Sequence, residues 1–125
     1  MIQRHHAIAA AGELRALNGV TRVLLARRDG VPFYDDLSLA SREHAAAATA
    51  SAGGVMSVIC GAAQLGSVEG GAVFGSHGVL VMRPLASEYV LAAVADGSVD
   101  VSDLYRRLRK QARILDELAE ASAPQ

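Results

Sequence analysis

The sequence predicts an α/β (α+β) domain built as a three-layer α/β/α sandwich, and three observations carry that expectation. The runs Val23-Leu24-Leu25-Ala26, Val79-Leu80-Val81-Met82 and Val90-Leu91-Ala92-Ala93-Val94 do not alternate apolar with polar residues. Strands of that kind are buried on both faces, so helices must cover both sides of the sheet. Helical periodicity at the start, middle and end of the chain sets these strands in the order helix-β-β-helix-β-β-β-helix. Finally, 51% of the residues are hydrophobic but only 4% are aromatic and none is Trp, so Val, Leu and Ala must fill the core and helices can approach the sheet closely. At 125 residues the chain suits one domain, expected over residues 1–121 with 122–125 as a frayed tail.

The first helix is expected from about Arg4 to Leu17, where Ala7, Ala10, Ala11, Leu14 and Leu17 fall on one side. Asn18-Gly19 ends it, glycine being the residue that enters the left-handed region most cheaply. Val20 to Arg28 reads as a strand. Asp29-Gly30 signals a two-residue type I′ hairpin, which needs positive φ twice. Val31 to Tyr34 is the return strand, placed at a sheet edge because Pro32 cannot donate to a ladder.

The second helix is expected from about Leu39 to Leu65, capped by Ser38 or Ser41. Its first half is mostly Ala. From Val55 onward its large residues point all round, with Val55 and Ile59 on one side and Val58 and Leu65 on another. A domain of this size cannot cover both faces, which points to a second copy. Strands follow at about Ser67 to Gly75, Val79 to Leu85 and Tyr89 to Ala95, with turns at His77-Gly78 and Ser87-Glu88. The last helix starts between Asp100 and Ser102, with Asp103 set against the N-terminal dipole and Val101, Leu104, Leu108, Ala112, Leu115 and Leu118 as its seam. From Ala119 onward the chain is expected to fray.

Residues able to do chemistry are few, and no catalytic, cofactor-binding or metal-binding residue is assigned. Cys60 lies among apolar residues without a basic neighbour and reads as a small hydrophobe. His5 and His6 are adjacent on a helix and diverge, and His44 and His77 lack ligand partners at a useful spacing. Asp29, Asp35 and Asp36 lie on a hairpin without a partner base and read as surface residues. No Gly-x-Ser-x-Gly elbow follows a strand. The stretch Gly66-Ser67-Val68-Glu69-Gly70-Gly71-Ala72-Val73-Phe74-Gly75 follows a helix and enters a strand, the reverse of a phosphate-binding loop. It is either a weak, bulged strand or an edge kept bare for another backbone.

The net charge of −1 gives no case for nucleic acid, and the single cysteine fits a reducing compartment. The N-terminus lacks the apolar core of a signal peptide. Ala45 to Val68 carries no charge and is long enough to span a bilayer, but Ser, Thr, Gly and Gln dilute it and no aromatic belt flanks it, so no membrane span is expected. A cytoplasmic location follows from these readings. On the last helix Arg106, Arg109, Lys110 and Arg113 lie opposite the seam, either as a solvated face or as a dock for an acidic partner.

Leu17-Asn18-Gly19-Val20, then Val23-Leu24-Leu25-Ala26-Arg27-Arg28-Asp29-Gly30-Val31-Pro32, resembles the Roadblock (dynein light chain 7) domain family in its helix-ending Gly-Val, apolar strand and Asp-Gly hairpin. Gly78-Val79-Leu80-Val81-Met82-Arg83-Pro84-Leu85 and Tyr89-Val90-Leu91-Ala92 resemble its fourth and fifth strands, and the likeness runs from about Leu14 to Leu118. Thr21-Arg22 stand where the family commonly has a Gly. The resemblance implies an antiparallel five-stranded sheet of order 2-1-5-4-3, related to longin and profilin folds. It also implies a homodimer through the third strand and the long helix, and a non-enzymatic regulator or adaptor of a small Ras-like GTPase. The Ala- and Arg-rich composition suits a high-GC bacterium and a signalling role there.

The dimer interface expected from the residues is Gly70, Gly71, Ala72 and Val73 with Val55, Val58 and Ile59. Partner contacts are expected at Arg42 and Glu43, with Arg106, Arg109, Lys110 and Arg113 as the rival set. The other function class is a small-molecule sensor of profilin-like or PAS-like architecture. It is disfavoured because such a sensor needs convergent polar groups around a cavity.

Overall fold

The computed structural model describes residues 2–36 and 39–121. The elements are α1 (Arg4–Arg15), β1 (Val20–Arg27), β2 (Pro32–Asp35), α2 (Leu39–Ala62), β3 (Gly71–Gly75), β4 (Gly78–Pro84), β5 (Tyr89–Ala95) and α3 (Val101–Ala121). The strands form one five-stranded antiparallel sheet of order β2-β1-β5-β4-β3. This is the sheet that the family resemblance implied.

The unbroken apolar runs divide between two layers. Val23, Leu25, Val79, Val81, Leu91 and Ala93 pack against α1 and α3 on one face. Leu24, Ala26, Met82, Val90 and Ala92 meet Ala46, Ala52 and Met56 of α2 on the other. Successive side chains of a strand point to opposite faces, so a continuous run feeds both layers at once. On α1 the inner residues are Ala7, Ala10, Ala11 and Leu14, and on α3 they are Leu104, Leu108, Ala112, Leu115 and Ala119. Mostly Ala faces the sheet from α1 and α2, which keeps both helices close to it.

Several boundaries differ from the expectation, each for a local reason. α1 stops at Arg15, and Gly19 (φ 98°) turns the connector after it. A side chain at Gly19 would also meet Ser98 and Val99, so close packing demands glycine there as well. α2 ends at Ala62 instead of Leu65 because Gln64 takes φ 58°. Leu65 N donates to Cys60 O (2.8 Å) and Gln64 N to Gly61 O (3.3 Å), the Schellman pattern with a non-glycine in the left-handed place. β3 begins at Gly71 rather than Ser67.

The β1–β2 hairpin corrects the expected turn. Within the hairpin only Gly30 has positive φ (92°), and the bonds from Gly30 N to Arg27 O and from Arg27 N to Val31 O (2.9 Å each) enclose a three-residue loop ending in that glycine. Ser38 lies outside the described residues. Ser41 sits inside α2, where Arg22 Nη2 donates to its hydroxyl (3.4 Å), so it is no cap of the kind expected.

Two further expectations are overturned. The chain does not fray at Ala119, which is 5% exposed and packs as the last residue of the α3 seam. Residues 122–125 lie outside the described residues. Asp35 is not a surface residue either: it is 2% exposed, and Arg22 donates to it from Nε (3.0 Å) and Nη2 (2.5 Å). Val20 faces the α1/α3 layer while Arg22, two residues on, faces Asp35 and α2. A bulge at Thr21 reconciles the two, because the β1–β5 register shifts between Val20 and Arg22.

Candidate interaction surface

α2 meets β1, β2 and β5 with its inner face and leaves its outer face bare. Ala46 and Thr49 are buried beneath the first half. One to three turns later Val55, Val58 (71% exposed) and Ile59 stand in solvent. Leu65 on the following connector and Val73 on β3 continue the apolar surface, and Phe74 (71% exposed) stands on the other side of the same edge strand. These are six of the eight exposed large hydrophobic residues among those described. Monomeric proteins rarely concentrate them this way, and such concentrations mark interaction sites.

β3 pairs with β4 from Gly71↔Met82 to Gly75↔Gly78 and has no strand on its other side. Its outer row of backbone groups is a template for another strand. The two glycines before and at its start are also required by packing inside the chain. A side chain on Gly70 would run into Tyr105 and the Met82 carbonyl oxygen (2.9 Å), and one on Gly71 into Met56. Gly70 therefore faces the α3 side and Gly71 the α2 side. By alternation Ala72 and Phe74 share the α3 side, and Val73 joins the α2 side.

The sequence-predicted partner residues fall in three places. Arg42 is half-buried and Glu43 exposed in the first turns of α2, about 20 Å along the helix from Val55 at 1.5 Å per residue. They are not beside the exposed apolar residues. Arg106, Arg109, Lys110 and Arg113 come together along the outer flank of α3 and line a cleft of about 560 Å³ with Arg83 and Glu69. Arg106 and Arg107 (3.2 Å) both donate to Asp103, and the hydrogen bond from Arg106 is the chief cause holding that carboxyl below the usual carboxylate range.

Phe74 and Arg83 escaped the sequence reading. Phe74's membership of an edge strand was a usable signal; Arg83 offered none, being one cation in a strand. Cys60, read as a small hydrophobe in the apolar half of α2, is half-buried and lines a shallow cleft with Leu65 and Ser67. Among the described residues no three of His, Cys, Asp and Glu come together as metal ligands. α2 from Ser41 to Ala62 is long and apolar enough to cross a membrane by length and composition, although its inner face lies on the sheet.

No protein-family model matches the chain, and no curated protein matches it by sequence. Solved structures do. A Roadblock/LC7 domain from Streptomyces avermitilis superposes with a TM-score of 0.82 at 17% identity, over 90% of this chain and 96% of that one. The chain has the Roadblock/LC7 fold. Gliding protein mglB from Thermus thermophilus shares it with a TM-score of 0.82 at 15% identity, over 94% and 91% of the two chains. A structure described as MglB with tetrameric arrangement matches with a TM-score of 0.83 at 16% identity, over 95% and 91%. At these identities the likeness establishes the Roadblock/LC7 fold alone.

Proposed function

We propose that the chain is a non-enzymatic homodimeric regulator or adaptor of a small Ras-like GTPase in bacterial signalling, acting in the cytoplasm. The observation that carries the reading is the bare apolar surface of Val55, Val58 and Ile59 beside the open edge of β3. A second copy laid on the same elements covers the helix and pairs the strand, an isologous contact. Burying the five exposed apolar side chains of the α2 side, Val55, Val58, Ile59, Leu65 and Val73, on each of two copies is worth on the order of 10 kcal/mol. That matches the scale of the association cost, about 4 to 15 kcal/mol. A bilayer would cover the helix but leave the strand edge unsatisfied. The tetrameric arrangement of a fold neighbour supports self-association.

The GTPase partner is drawn from the Roadblock resemblance of the sequence, supported by the shared fold. We place the GTPase on the two-fold surface made by the paired α2 helices. The test is sedimentation of the chain and of its Val58→Asp and Ile59→Asp variants, followed by capture and GTP turnover of a small Ras-like GTPase from the same organism. The unmodified chain should sediment as a dimer and bind; each variant should be a folded monomer that does not. A monomeric unmodified chain ends the dimer reading. A dimer that neither binds such a GTPase nor alters its turnover ends the regulator reading.

A further inference from the structure

On the side of the sheet away from α2, the outer flank of α3 carries a group of cations that the dimer reading leaves unused. Arg109, Lys110 and Arg113 have no ion pair or hydrogen bond among the described residues, unlike Arg106, which is held by Asp103. They line one cleft of about 560 Å³ with Arg83 at its floor. Arg83 Nη1 donates to Glu69 O (2.8 Å) and to Tyr105 Oη (3.5 Å), which fixes that guanidinium. Like charges three and four residues apart on a helix repel one another. The unpaired positive charge gathers at one end of the cleft, whose lining also includes Glu69, Asp116, Glu117 and Glu120, and the repulsion among its cations is a cost in helix stability that an anionic group placed at that end would relieve.

We propose that this cleft docks an acidic polypeptide segment of a partner protein, as a second surface separate from the α2 face. The two surfaces lie on opposite faces of the sheet, so one compact partner surface cannot cover both. Guanidinium groups match carboxylates in a bidentate way. Arg106 to Arg113 span about 10 Å along the helix axis, the length of about three residues of extended chain. The other end of the same cleft is lined by Asp116, Glu117 and Glu120. That mixture of signs opposes a uniform polyphosphate, whereas a polypeptide can place its carboxylates against the arginines only. Exposed ion pairs add little affinity each, so the cleft serves steering and choice of partner more than tightness.

The test uses the full chain and a labelled ten-residue peptide of alternating Glu and Ala, with the matching Gln-Ala peptide, inorganic triphosphate and phosphatidylserine vesicles as competing arms. The acidic peptide should bind at low salt, and binding should weaken steeply as salt rises through about 0.1 M, where screening reaches about 10 Å. The double change Arg109→Glu with Arg113→Glu should weaken it about tenfold or more. Arg4→Glu on α1 and Val58→Asp on α2 should leave it unchanged, so failure here and failure of the dimer are separable. No binding by the unmodified chain, equal binding by the double variant, or equal loss with Arg4→Glu overturns the proposal. Tighter binding of triphosphate or vesicles through the same arginines overturns the choice of polypeptide.

Discussion

Met56 on α2 lies over Gly71 on β3, its sulfur in the space that a side chain at Gly71 would need. The helix and the strand proposed to meet a second copy are thus fitted to each other within one chain. Substitution at Gly71 must disturb this contact before it can affect any association. Gly71→Val is expected to lower stability by about 1 to 3 kcal/mol through overpacking. In denaturant melts, the pair Gly71→Val with Met56→Ala should cost less than the sum of the two single changes. Strict additivity would mean that the two residues are uncoupled.

The buried pair of Arg22 and Asp35 ties β1 to β2 and reaches α2 through Ser41. Asp35→Ala leaves a mostly buried guanidinium without its carboxylate, and its expected cost is about 3 kcal/mol. Replacing both residues with apolar ones of similar volume should recover much of that. Thermal melts of Asp35→Ala and of the pair Arg22→Met with Asp35→Leu check this. A single variant as stable as the parent would show that the pair contributes nothing.

Asp116 on α3 holds the β4–β5 turn. It accepts from Ala86 N (3.2 Å), Ser87 N (3.3 Å) and the Ser87 hydroxyl (3.1 Å), beside Glu88 in its left-handed conformation (φ 69°). Asp116→Ala should cost about 1 to 3 kcal/mol. Hydrogen exchange should rise at Ala86 and Ser87 well before it rises in the strands. Unchanged protection there would remove the anchoring role.

Two carboxyls should titrate low. Asp103 is held down first by the hydrogen bond from Arg106, and Asp96 by the hydroxyl and backbone N–H of Ser98. Their folded values lie below their unfolded ones. The stability they lend is therefore complete above the ordinary carboxylate value, about 4, and is lost as pH falls through the depressed folded values. Carboxyl carbon NMR should give midpoints below about 4 for both groups, and Arg106→Gln should raise that of Asp103 alone.

The sequence by itself determined the element order and the two-sided burial of the sheet, because strand and helix periods are local properties of neighbouring residues. Val23 to Ala26 and Val90 to Val94 announce burial on both faces without any knowledge of what covers them. The edge place of β2 was likewise written in Pro32, and the surplus of apolar residues on α2 in Val55, Val58 and Ile59. Tertiary structure decided what depends on partners distant in the chain. Asp35 looked like a surface hairpin residue until the bulge at Thr21 turned Arg22 toward it. That Gly70 and Gly71 are also required by Tyr105 and Met56 packing beside them was not legible in the sequence, because both neighbours are distant in the chain. The end of α2 at Ala62 was hidden because the left-handed residue that follows it is Gln64, which carries no sequence signal, whereas glycine does. Arg83 joined the α3 cations only because the β4 strand runs beneath the flank of α3, a helix that comes later in the chain, a proximity that no local pattern encodes.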